Sequence, residues 1–103
     1  MPRIVSFDQE TAVLVVMGEE DRLTSGRRRR AISLAIKAGR DVVVDLRELS
    51  FADSSLMIDL AVLARRLRLN GRKMRLRGAQ PQVRRLIELM GLHRLPAVAL
   101  DLA

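Results

Sequence analysis

An aspartate followed by two serines, Asp53-Ser54-Ser55, is the part of this sequence best suited to chemistry. The three residues follow an apolar run and precede a helical pattern, so they fall at the N-terminus of a predicted helix. Backbone N–H groups at that end lack helical partners and lie in the positive field of the helix dipole. A phosphoryl group carried by a serine is an anion that such a position stabilises. The segment therefore indicates a switch more than a catalyst.

The same residues also meet a purely structural requirement. Asp and Ser are favoured as N-cap residues, because their side-chain oxygens accept hydrogen bonds from free backbone N–H groups, and such a cap contributes about 1 kcal/mol. Taken without any family comparison, the residues favour this simpler interpretation of Asp53 and Ser54.

Other residues give little sign of catalysis or metal binding. The chain has no cysteine and one histidine, His93, which excludes thiolate chemistry and any site with several histidines. The carboxylates form no obvious acid–base pair, and Asp59 is predicted to be exposed although it lies one turn after Ser55. Glycine-rich phosphate loops are absent. We therefore predict no enzymatic activity, no metal and no cofactor.

Hydrophobic periodicity predicts five strands and three helices in the order β-β-α-β-α-β-α-β. The strands cover 4–8, 11–17, 41–46, 73–77 and about 95–100, and the helices cover about 22–38, 54–69 and 80–90. A tight turn at Gln9-Glu10 joins the first two strands, and Gly18 ends the second. Because helices alternate with strands after this hairpin, we expect an α/β fold with a mixed sheet, formed by a single domain over residues 1–103.

The predicted core is aliphatic, since Phe7 and Phe51 are the only aromatic residues. Residues spaced three and four apart predict the buried faces of the helices. These residues are Ala31, Leu34, Ala35 and Ala38 in the first helix, Leu56, Leu60, Leu63 and Leu67 in the second, and Val83, Leu86, Ile87 and Met90 in the third. The nearly continuous apolar run 41–46 is typical of a strand buried on both faces, whereas 73–77 alternates like a half-exposed or edge strand.

The chain has a net charge of +7, which raises acidic proteins, nucleic acid and anionic membranes as partners. The run Arg27 to Arg30 points to all sides of a helix, and a second basic group lies between Arg65 and Arg85; we interpret both mainly as solvated surface. No aromatic residue is interleaved with the arginines, which disfavours nucleic-acid binding. No apolar run approaches a membrane span and no signal sequence is visible, so we expect a cytoplasmic protein without a membrane partner.

The order of elements and several motifs resemble the STAS domain, and most of all the single-domain anti-sigma factor antagonists of bacteria. The motifs are DLRELSFADSS before the second helix, the strand motif from Gly71 to Leu76, and Gly91-Leu92 after the third helix. The resemblance covers nearly the whole chain, and the order and spacing of the motifs make it specific. It implies a STAS-like mixed sheet with helices, in which the C-terminal helix of the family is absent.

The resemblance implies a transcription regulator that is switched by phosphorylation. In the family, the serine directly after the aspartate accepts a phosphate from the anti-sigma factor, a GHKL-type serine kinase, and a phosphatase removes it. The unphosphorylated domain binds that kinase and releases the sigma factor. On this chain Ser54 would be the phosphoacceptor, and Asp21, Asp53, Ser55 and Leu56 would form the partner-binding surface.

Departures from the family pattern keep alternatives open. Leu56 stands where the family has glycine, which favours a divergent STAS scaffold that works without phosphorylation. The absence of the family's C-terminal helix would leave an apolar strip for a partner or a second copy, which favours a dimerising interaction module. Direct binding of nucleic acid is a weaker alternative that the basic charge suggests. Arg28 stands where the family usually has an inward apolar residue, so its stem is predicted to lie along the protein with the charge in solvent.

Overall fold

The computed structural model of the protein describes residues 5–101. Over this range the strands are β1 (Val5–Asp8), β2 (Val13–Val16), β3 (Gly18–Glu20), β4 (Val42–Asp45), β5 (Leu49–Ala52), β6 (Met74–Arg77) and β7 (Val98–Leu100). The α-helices are α1 (Ser25–Lys37), α2 (Ser54–Leu69) and α3 (Pro81–Met90). Short 3-10 turns precede α1 (Arg22–Thr24) and follow α3 (Leu92–Arg94). Residue 4, the predicted start of the first strand, lies outside the described residues.

Five strands form a mixed sheet in the order β1-β2-β4-β6-β7. The first pair is antiparallel, and each later neighbour is parallel to the one before it. The parallel strands advance across the sheet in one direction, so right-handed crossovers place α1, α2 and α3 on the same face. The predicted mixed α/β architecture is confirmed.

The core lies between this face of the sheet and the helices. Leu14, Val44 and Leu76, from three neighbouring strands, are fully buried. Complete burial of one such side chain stabilises the fold by about 1.5–3 kcal/mol. The predicted inward face of α2 is confirmed, since this helix buries Leu56, Met57, Leu60, Leu63, Ala64 and Leu67.

The other face of the sheet is only partly covered by the described residues. In β4, Val44 is buried under the helices, whereas Val43 is half-buried on the opposite face. The prediction that 41–46 is buried on both faces is met only in part: Asp45, on the same face as Val43, is buried beside Arg47 and Arg77, but Val43 is half-buried and Asp41 is exposed. The strand β6 is half-exposed as predicted, with Arg75 in solvent, but it lies between β4 and β7 and is not an edge strand.

Two helices bury faces that differ slightly from those predicted. In α3, Val83 and Ile87 are buried as expected, but Met90 is exposed because it is the last residue before Gly91 ends the helix. The predicted inward residues Leu34 and Ala38 of α1 are only partly buried. The fully inward face of α1 is instead formed by Arg28, Ala31, Ile32 and Ala35.

The loops also differ from the prediction. The connection between β1 and β2 is a four-residue turn over 9–12 and not a tight turn at Gln9-Glu10. Its last residue, Ala12, is buried and has a φ of 56°. At the other end of the chain, β7 starts only at Val98, because residues 95–97 form a turn.

A second sheet, made of β3 and β5, was not predicted. Gly18 does not simply end the second strand: its φ of 75° lets the chain bend and begin β3. The two short strands are parallel, and their register pairs Glu20 with Ala52. As a result, the residues that follow the two strands, Asp21 and Asp53, leave the small sheet at the same edge.

Gly78 provides a test of the packing at the end of β6. Its φ is 72°, and a Cβ at this position would lie 2.1 Å from Cγ of Arg47, whose Nη2 binds Oδ2 of Asp45 at 2.7 Å. Gly71 has a similar φ of 71°, but no described atom outside its immediate neighbours would meet a Cβ there. We expect Gly78→Ala to lower the free energy of unfolding by about 1–3 kcal/mol more than Gly71→Ala, because only the former adds a clash to the backbone strain.

Urea denaturation of the two variants measures this difference. Equal losses of stability would contradict the contact between Gly78 and Arg47.

Candidate functional site

Two acidic caps meet where β3 and β5 end. Asp21 caps the 3-10 turn that precedes α1, and Asp53 caps α2. The two turns are also bonded to each other: Oδ2 of Asp53 accepts a hydrogen bond from the Arg22 N–H at 3.1 Å, and the Asp53 N–H donates to the Glu20 carbonyl at 3.1 Å. The structure thus brings Asp21 and Asp53 together on one surface.

Asp21 forms a reciprocal cap with Thr24. Oδ1 of Asp21 accepts from the N–H groups of Leu23 at 2.8 Å and Thr24 at 3.2 Å, and Oγ1 of Thr24 accepts from the Asp21 N–H at 3.0 Å. These bonds satisfy N–H groups that have no partner within the turn. The backbone ahead of α1 is therefore fixed, and the side chain of Leu23 projects into solvent with 87% of its surface exposed.

Both carboxylate oxygens of Asp53 accept hydrogen bonds. Oδ1 accepts from the N–H of Ser55 at 2.9 Å and from the Ser55 hydroxyl, while Oδ2 accepts from Arg22. Burial alone would raise the pKa of Asp53, but the hydrogen bonds from Ser55, Arg22 and the Leu56 N–H favour the charged form and outweigh it. The net effect holds the pKa of Asp53 below its usual range, so the carboxylate is ionised at neutral pH.

The two serines at the start of α2 have different surroundings. Ser54 is exposed, and its side chain makes no hydrogen bond to any described residue. Ser55 is half-buried, and its hydroxyl is bonded to Asp53 and to Arg28. Only Ser54 therefore presents a free hydroxyl to solvent.

Arg28 is fully buried beneath this surface, which differs from the prediction that its charge reaches solvent. Its Nη1 donates to Oε1 of Glu20 at 3.0 Å, to the Asp21 carbonyl at 2.9 Å and to Oγ1 of Thr24 at 3.1 Å. Its Nε and Nη2 lie 3.0 and 2.9 Å from Oδ2 of Asp59. The buried guanidinium is thus paired with the buried carboxylate of Glu20 and with the partly exposed carboxylate of Asp59, as a charge in a low-dielectric interior requires.

The guanidinium also determines how Ser55 is hydrogen-bonded. Nη2 of Arg28 lies 3.2 Å from Oγ of Ser55, and an arginine can only donate. Ser55 therefore accepts from Arg28 and gives its own proton to Oδ1 of Asp53. A chain of hydrogen bonds runs from α1 through Ser55 to the cap of α2, and it holds the helix end that carries Ser54.

Two expectations about individual site residues are corrected by the structure. Leu56 was predicted to form part of the partner-binding surface, but it has no exposed area and packs in the core on the inner face of α2. It therefore stabilises the start of α2 without being open to a partner. Asp59 was predicted to be exposed, but it is only partly so, because it pairs with Arg28.

Sequence reasoning missed Arg28 and Glu20 as parts of the site. A signal for Arg28 was present: it lies three, four and seven residues before Ala31, Ile32 and Ala35, at the spacing of an inward face. Glu20, also fully buried, gave no such signal because its strand β3 has only three residues.

The family model of the STAS domain matches residues 4–103, and the chain belongs to that family. Among solved structures, the chain is similar to the anti-sigma factor antagonist SpoIIAA in its unphosphorylated form, with a TM-score of 0.66 and 23% sequence identity over 88% of this chain and 78% of that chain. This likeness shows the fold, and the predicted STAS-like architecture is confirmed. No curated protein matches the sequence.

Within residues 5–101, no helix has both the length and the hydrophobicity that a transmembrane span requires. No three His, Asp or Glu side chains of these residues lie close enough together to hold a metal ion.

We expect Arg28→Met to lower the free energy of unfolding by about 3–5 kcal/mol, because it leaves Glu20 buried without its cation and Asp59 without its partner. Arg30→Met is the matched control from the same arginine run, since Arg30 is exposed. Urea denaturation should show a change within about 0.5 kcal/mol for the control. Similar effects of the two substitutions would contradict the buried network.

Asp53→Asn should make stability less dependent on pH, since asparagine keeps the cap but removes the charge. The folded pKa of Asp53 lies below its unfolded value, so the carboxylate's contribution is present above about pH 4 and is lost as the pH falls through the folded pKa. The variant should be less stable than the original chain at neutral pH, and the gap should close in acid.

Urea midpoints measured from neutral pH to about pH 3 follow this gap. Glu10→Gln, in the exposed β1–β2 turn, controls for the loss of one negative charge. A gap for Asp53→Asn that stays constant or widens in acid would show that the cap does not favour the charged form.

Proposed function

We propose that the protein is an anti-sigma factor antagonist of the bacterial cytoplasm, regulated by phosphorylation of Ser54. In this proposal it is a regulator and a kinase substrate, not an enzyme. Its partners are an anti-sigma factor of the GHKL serine-kinase type, which both binds and phosphorylates it, and a phosphatase that resets it. The observation that carries the proposal is the free, exposed hydroxyl of Ser54 at the first position of α2. Membership of the STAS family and a fold shared with an anti-sigma factor antagonist support it.

The contrast between the two serines supports Ser54 as the phosphoacceptor. A hydroxyl that attacks a phosphoryl group must be reachable by the kinase and must be free to turn towards it. Ser54 meets both requirements. Ser55 is half-buried, accepts from Arg28 and donates to Asp53, so its attack would require breaking the hydrogen-bond chain that caps α2.

Charge supplies the mechanism of the switch. A phosphate on Ser54 adds about −1.5 to −2 charges directly beside the ionised Asp53 and on the same surface as Asp21. The N-terminus of α2 compensates part of that charge inside the protein. A partner that has docked on a neutral hydroxyl would face a concentrated negative charge after phosphorylation, and like charges across an interface cost several kcal/mol.

The surface around the serine also has an apolar anchor. Leu23 lies in the 3-10 turn Arg22–Thr24, which is held to α2 by the hydrogen bond from the Arg22 N–H to Asp53. Its side chain is the most exposed of the large hydrophobic residues described. An exposed leucine held on a rigid turn suits a contact in which a partner buries it at low entropic cost. We therefore place the anti-sigma factor over Asp21, Leu23, Asp53 and Ser54.

The proposal is tested by binding and phosphorylation with the GHKL-type kinases of the host. Ser54→Ala should bind its kinase but take up no phosphate. Ser54→Asp should bind at least about tenfold more weakly, because it carries a negative charge at the phosphate position. Titration calorimetry measures the affinity, and mass spectrometry measures the phosphate.

Ser50→Ala is the control, since Ser50 is also exposed but lies in β5 and binds the Gly18 carbonyl. It should be phosphorylated like the original chain. Phosphate uptake by Ser54→Ala, or equal affinities of all the variants for the kinase, would refute the proposal.

A further inference from the structure

The helix α2 carries a second apolar stripe that the proposed switch does not use. Besides its buried face, it exposes Ile58, Val62 and Leu69, with 57%, 51% and 71% of their surfaces in solvent. Together with Arg65 these residues are spaced by four, three and four, which is the spacing of a stripe that packs against another helix. Helices that are apolar on two sides are normally covered on both.

The stripe forms one wall of a groove. The other wall is the turn over residues 95–97 that precedes β7, with Leu95 and Pro96. The cavity between the two walls has a volume of about 590 Å³. From Ser54 to Leu69 the helix axis runs about 22 Å, so the far end of the groove lies well away from the serine. A partner could occupy that end without touching the phosphoacceptor.

The rim of the groove is basic. Arg65 and Arg68 line it, and both are exposed. A neighbouring depression between α1 and α2 adds Arg29, Lys37 and Arg66. Neither Arg65 nor Arg68 forms an ion pair with any described carboxylate, so an acidic occupant would gain charge pairs without breaking existing ones.

We propose that this groove, defined by Ile58, Val62, Arg65, Arg68, Leu69 and Leu95, is a docking site for an acidic amphipathic helix of a partner protein. The apolar side of that helix packs against the stripe, and its Asp or Glu residues pair with Arg65 and Arg68. This is the helix-in-groove mode of recognition, in which side chains at positions i, i+3, i+4 and i+7 provide the anchors.

Charge and shape favour this occupant over three others. A symmetric contact with a second copy would place one basic rim against another, between chains that each carry a net charge of +7. A lipid surface is flat, whereas this site is concave and has no aromatic side chain in its lining. Nucleic acid would gain nothing from the aliphatic stripe and has no ring to stack on.

The first experiment uses a synthetic helical peptide with leucine at the four anchor positions and glutamate at the flanking ones, labelled with fluorescein. Anisotropy should show saturable binding to the full chain. The same peptide with lysine in place of glutamate should bind at least about tenfold more weakly. Absence of saturable binding, or equal binding of the two peptides, would overturn the proposal.

Matched substitutions then locate the binding. Leu69→Glu and Arg65→Glu should each weaken the acidic peptide at least about tenfold, because each places a negative charge in the groove. Leu89→Glu and Arg85→Glu are the controls, since they make the same changes at exposed positions of α3 outside the groove. Circular dichroism confirms that each variant is folded. Equal effects of groove and control substitutions would refute the site.

Two outcomes separate this site from its rivals. Ser54→Asp should leave the peptide's affinity within about twofold, because Arg65, Arg68 and Leu69 lie about three to four turns further along α2. A loss of about tenfold or more would assign the groove to the phosphoserine surface and overturn a separate site. Vesicles of phosphatidylglycerol should not compete with the peptide; competition that Leu69→Glu abolishes would assign the groove to a lipid surface.

Discussion

The buried guanidinium of Arg28 is the interaction on which the arrangement of the site depends. A charge without access to water is tolerated only when nearly all of its donors are satisfied, so the groups around it must occupy fixed positions. These groups come from β3 (Glu20), the turn after it (Asp21 and Thr24) and the first turns of α2 (Ser55 and Asp59). One side chain of α1 thus joins the segment 20–24 to the first turns of α2 at the surface that carries Ser54.

This constraint makes two adjacent serines unequal. The hydroxyl of Ser55 accepts a hydrogen bond from Arg28 and donates one to Asp53, so it is fully used. The carboxylate of Asp53 also caps α2 and accepts from the Arg22 N–H. Ser54 is left free at a rigid, positively polarised helix end. The inner face of α2 fills the core, its N-terminus is where we propose the switch, and its outer stripe lines the groove that we propose as a docking site.

Periodicity was sufficient to predict the larger elements. The inward residues of α2, from Leu56 to Leu67, are spaced so regularly that no tertiary contact alters the assignment, and the parallel sheet follows from the alternation of strands with helices. The strands β3 and β5 could not be predicted in the same way. They have three and four residues, too few for a period to appear, and they exist because each pairs with the other across the sequence.

The acidic caps and the serines were recognisable from their residue types, but their mutual contacts were not. Which of two adjacent serines keeps a free hydroxyl depends on the buried Arg28 that contacts Ser55, and this contact was not predicted. Arg28 was misjudged because residue type outweighed position: arginine is almost never fully buried unless it is paired, and its partners lie 8 and 31 residues away in the chain.

Peptide-mapped mass spectrometry of the protein isolated from its own host, in growing and in stressed cells, tests the central claim most directly. The structure leads us to expect phosphate on Ser54 and not on Ser55, with a level that differs between the two conditions. Phosphate on Ser55, or a Ser54 that remains unmodified in both conditions, would contradict it.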